Sequence, residues 1–105
     1  MEDGKLEKLT IAEVFDVISQ YRILIVDCEK IGLPICKRTA FGYCDYDTKT
    51  IYVDGDRNQS TVVRTLMHEI SHAYHYMNCL DDSERNTGRV EKATWEDYKQ
   101  IRGLK

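Results

Sequence analysis

The chain has 105 residues, 42% of them hydrophobic and 31% charged, which excludes a disordered polypeptide and leaves room for one domain, 1–105. A net charge of -3, with Lys and Arg scattered along the chain, gives no electrostatic footprint for nucleic acid, so none is expected as a direct partner. No apolar run reaches membrane-spanning length, and the polar start MEDGKLEKLT lacks the apolar stretch of a secretory signal; the expected setting is the cytoplasm, away from membranes.

Thr10-Ile11-Ala12-Glu13 has the spacing of a capping box, and Ile11, Val14, Phe15 and Ile18 follow at helical intervals, so a first helix is expected up to about Gln20. Arg22 to Asp27, RILIVD, is a β-branched apolar run of strand length and is expected to be buried. A loop follows around Gly32-Leu33-Pro34. Two further strands, Thr39 to Asp47 and Thr50 to Asp54, are joined by a short polar connection suited to a hairpin, giving a sheet of about three strands. The polar loop Asp54 to Ser60 then leads into a long helix capped by Asn58 or Ser60. After a polar connector, a last helix is expected from about Arg89 to Ile101.

The long helix carries the chemistry. Within Thr61 to Asn78 stands His68-Glu69-x-x-His72, and two histidines four apart lie one turn above each other, so both imidazoles can reach a single metal ion. Glu69 lies about a quarter-turn away, where a carboxylate meets the attacking water rather than the metal. Val63, Leu66, Met67, Ile70, Tyr74 and Met77 form the apolar stripe, and His68, His72 and His75 fall nearly opposite it with Arg64 and Ser71. The bland alternative is a solvated polar face that happens to carry His and Glu.

A catalytic zinc takes three protein ligands and leaves a fourth position for water, so one more group is needed. His75 shares the face, but three ligands on one straight helix would span about 10 Å along its axis and close no tetrahedron; it suits the rim. Glu91 is the preferred third ligand, reached by a last helix that returns across the site. Glu96 falls on another face of that helix, and Glu84 lies in the connector, close to the end of the histidine helix. Tyr98, two turns beyond Glu91, and His75 are the candidate donors to a developing oxyanion. Of Cys28, Cys36, Cys44 and Cys79, none forms a Cys-x-x-Cys pair; they are expected in core or loops, with Cys79 also open as a zinc ligand.

Gly42-Tyr43, Ile51-Tyr52-Val53 and Thr65-Leu66-Met67-His68-Glu69-Ile70-Ser71-His72-Ala73 together resemble the core of ImmA/IrrE-type metallopeptidases, over residues 42 to 101. In that family a strand pair precedes a helix beginning T-L-x-H-E, and a downstream acid is the third ligand. Short, phage-associated members place a tryptophan four residues after that acid, as Glu91 and Trp95 stand here. Ser71 replaces a frequent glycine, and Glu91-Lys92-Ala93-Thr94 replaces the common Glu-Ala-Asn. The resemblance implies an α+β, minimal zincin-like domain: an N-terminal helix, a small sheet, an active-site helix and a C-terminal helix. It also implies a Zn2+ cofactor and cleavage of an intracellular protein, commonly a helix-turn-helix repressor. Two other readings stay open: an antirepressor that keeps the fold and works by docking, and a structural zinc domain with four protein ligands.

Overall fold

The computed structural model describes residues 8–27, 41–81 and 83–103. They form an α+β arrangement of three helices and a three-stranded sheet in the order β1-β3-β2.

Helix α1, Ile11–Gln20, opens on the expected capping box: the Glu13 amide donates to Thr10 Oγ1 (3.2 Å) and the Thr10 amide donates to Glu13 Oε1 (2.7 Å). Its buried face differs from the expected one. Val17 is sealed and Val14 packs against the core, while Ile11, Phe15 and Ile18 stay exposed. α1 thus docks on the long helix by the face that leads to Tyr21, a neighbouring line of side chains on the same cylinder.

Strand β1, Arg22–Val26, is an edge strand rather than a buried one. It pairs in parallel with β3, and Ile25 remains 58% exposed. β2, Gly42–Asp45, and β3, Thr50–Asp54, form the expected hairpin, antiparallel, with Asp45 Oδ1 accepting from the Asp47 amide (3.1 Å) and Lys49 at φ 52. β2 is shorter than expected at its far end, and the expected start at Thr39, like the Gly32–Pro34 loop, Cys28 and Cys36, lies outside the described residues. Ile51 and Val53, two apart, present one fully buried face of β3, while Tyr52 turns to the other side and stacks with its cross-strand partner Tyr43.

Helix α2, Gln59–Met77, is capped by Asn58, whose Oδ1 accepts from the Thr61 amide at 2.9 Å. It lies across β2 and β3, and Ile70 and Ala73 meet Ile51, Val53, Val17, Tyr21 and Val90 in the core. Each fully buried valine or isoleucine of this set contributes roughly 1.5–3 kcal/mol. Helix α3, Glu84–Arg102, begins five residues earlier than expected, on the Ser83 cap, and ends at Gly103 in the left-handed conformation (φ 70). It runs antiparallel to α2: Thr87 meets His72, Glu91 meets Arg64, and Trp95 lies under Arg64. The histidine face of α2 is therefore covered rather than solvated, with Ser71, His72 and His75 all buried. The connector shrinks to a few residues.

Candidate metal centre

His68 and His72 stand on successive turns of α2 with their rings 4.8 Å apart and nearly perpendicular. Both Nε2 atoms converge on one carboxylate, that of Glu84. Oε1 lies 3.0 Å from His68 Nε2, and Oε2 lies 2.9 Å from His72 Nε2. Among the described residues these three side chains form a group whose ligand atoms all fall within 4.8 Å of one another, a spacing a single cation can bridge. Glu84 is the first residue of α3, and its place is set by the turn before it: the Asn86 amide donates to Ser83 Oγ (3.2 Å), and Asn86 Nδ2 donates to the Asp81 carbonyl (2.7 Å). Partial burial raises the Glu84 pKa, but the imidazoles of His72 and His68 outweigh it, and the carboxyl is held below its ordinary range.

The expected third ligand, Glu91, lines the same cleft but meets the other nitrogen of His68. Its Oε1 is 3.5 Å from Nδ1 of His68, the ring nitrogen turned away from Glu84, and its Oε2 accepts from Arg64 Nε (2.8 Å) and Nη2 (2.6 Å). His72 has a similar neighbour, Thr87 Oγ1, at 3.3 Å from its Nδ1. Glu84 enters the group through a helix boundary: with Ser83 as the cap of α3, Glu84 leaves the expected connector and its carboxylate lies within 3.0 Å of both Nε2 atoms. A signal was present in Ser83-Glu84, a capping residue followed by an acid in the first turn. The polar run through Gly88 hid it.

Glu69 is 7% exposed, beside the histidines. Burial pushes its carboxyl from 4.5 up to about 7, with His68 opposing and Glu84 adding to the rise. Strand β2 comes unusually close here. A Cβ placed at Gly42 would lie 2.6 Å from Thr65 Cγ2 and 3.1 Å from Glu69 Oε2, so any larger residue forces the strand or these side chains to shift. Strand and helix border a cleft of about 550 Å³ lined by Phe41, Gly42, Arg64, His68, Glu69 and Glu84 with their neighbours.

The chain matches no protein-family model, no curated protein and no solved structure.

The remaining candidates are placed away from the cleft. His75 is 1% exposed, with Nδ1 donating to the Ser71 carbonyl oxygen, and its buried Nε2 meets no hydrogen-bond partner among the described residues. Tyr98 stacks on Trp95 at 5.7 Å and does not line the cleft. Glu96 pairs with Lys99 (3.4 Å), and Cys79 is exposed and outside the His68, His72, Glu84 group.

Proposed function

We propose that the chain is a zinc-dependent endopeptidase of minimal zincin-like build, cleaving an intracellular protein. His68, His72 and Glu84 are its metal ligands and Glu69 its general base. The observation that carries this reading is the convergence of two imidazole Nε2 atoms and one carboxylate beside a buried glutamate, at the wall of an open cleft. Two nitrogen donors and one oxygen donor suit zinc and leave a coordination position open. When bound there, zinc supplies Lewis acidity that activates water and polarises a carbonyl.

The chain's own residues do the rest. Glu69 accepts a proton from the attacking water and delivers it to the leaving amine nitrogen, and its burial, which raises the carboxyl pKa, favours proton uptake. Gly42 lets the backbone of β2 reach Glu69, which leaves the cleft wall free of side chain at that point. The resemblance to ImmA/IrrE-type peptidases names a helix-turn-helix repressor as the substrate to try first.

Metal analysis and proteolysis test the reading together. Protein purified without chelator should hold about one zinc per chain. Glu69→Gln should keep the metal and cut casein or a panel of helix-turn-helix repressors roughly 10²–10⁴-fold more slowly. A Glu69→Gln chain that cleaves as fast as the parent refutes the mechanism, and stoichiometric loss of repressor activity without cleavage identifies a docking protein instead.

A further inference from the structure

An imidazole that gives Nε2 to a metal must keep its proton on Nδ1, and that proton needs an acceptor. Both rings of the site face one. For His72 it is a neutral hydroxyl, Thr87 Oγ1; for His68 it is a carboxylate, Glu91 Oε1. The carboxylate is itself fixed. Its second oxygen takes two N–H groups of Arg64, one turn before His68 on α2, and the Arg64 guanidinium lies 5.7 Å above the Trp95 ring. Trp95, Arg64, Glu91 and His68 thus form a chain of contacts that ends at the metal-facing nitrogen's own ring.

We infer that Glu91 is a positioning residue for His68, with Arg64 as its anchor, and that neither binds the metal. The inference rests on the zinc reading above and says which of two acids serves which purpose. Glu91 is on the wrong nitrogen to be a ligand, and its side chain is 14% exposed and committed to the guanidinium, whereas the Glu84 side chain is 79% exposed and faces both Nε2 atoms. A carboxylate at Nδ1 fixes the ring's tautomer and orientation and makes Nε2 a better donor.

Zn2+ affinity of the full chain, measured by competition with a chromophoric chelator, separates the possibilities. Glu91→Gln and Arg64→Gln should each weaken binding roughly 10- to 100-fold, with one site per chain retained. The double variant should be little worse than Glu91→Gln, because Arg64 acts through Glu91. Glu91→Asp, which keeps the charge, should fall between parent and Glu91→Gln, and supplies a second variant should the glutamine form fold poorly. With Co2+ in place of zinc, Glu91→Gln should leave the visible bands where they are, while Glu84→Gln should move or abolish them. Unchanged zinc affinity in Glu91→Gln makes Glu91 a bystander and overturns the inference. Loss of the site in Glu91→Gln with shifted Co2+ bands, beside an unaffected Glu84→Gln, makes Glu91 the ligand and overturns it differently. A parent chain that binds no zinc refutes the metal reading itself, and this inference with it.

Discussion

Gly42 and Glu69 show how little space separates strand from helix at the cleft. Adding one methyl at Gly42 places it 2.6 Å from the Thr65 methyl, closer than atoms can pack, so β2 or the Thr65 and Glu69 side chains must shift. Gly42→Ala should cost about 1–3 kcal/mol in denaturant unfolding of the metal-free chain. Tyr21 makes a second, unrelated prediction. Burial, helped by Cys44 and Tyr76, pushes its hydroxyl from 10.0 up to about 12. The folded state therefore holds this proton more tightly than the unfolded one, so the contribution is complete below pH 10 and lost as pH climbs to about 12. Tyr21→Phe should escape that part of the alkaline loss, as unfolding curves on either side of the window will show. His68, Glu69 and His72 were legible in the sequence, because their relation is internal to one helix and needs only the 3.6-residue repeat. Glu84 was not, because its place depends on where a second helix starts.

At the scale of elements, α3 is the part that sequence reading mistook most. Its first turns contain Asn86, Thr87 and Gly88, residues that favour caps and loops, yet the helix runs through them from Ser83 because Thr87 and Val90 are buried against α2. Packing overrode local preference. Gly88 is then a weak point with no structural demand for it, since a Cβ there would meet nothing within 4 Å. Gly88→Ala should stabilise the chain by roughly 0.5–1 kcal/mol, seen as a higher denaturation midpoint with unchanged slope. An unchanged or lower midpoint would mean that this turn is not helical in solution. The other two misreadings have the same origin. β1 looked buried because its residues are apolar, but apolarity does not tell an edge strand from a central one, and α1 carried more apolar positions than its one contact face could cover.

For the molecule as a whole, the α+β class and the order of its elements followed from periodicity and turn residues, while the strand order β1-β3-β2 is a tertiary result that no local pattern encodes. Among the described residues no helix is long and apolar enough to cross a membrane. The candidate metal site joins the start of α3 to the middle of α2, so an ion held there would clamp two of the three described helices. Zinc at about a thousand times its dissociation constant should add about 4 kcal/mol of stability and raise the melting temperature on the order of 15 °C or more, with chelator reversing it. His72→Ala should melt at one temperature with or without zinc; a full zinc-dependent rise in that variant would place the ion elsewhere.

His68 and Glu84 are only 16 positions apart. Closing so short a loop costs little chain entropy, whereas pairing β1 with β3 joins segments 28 positions apart, as in Arg22 with Thr50. An ion captured there would draw every donor from α2 and the start of α3, and none from a strand of the sheet.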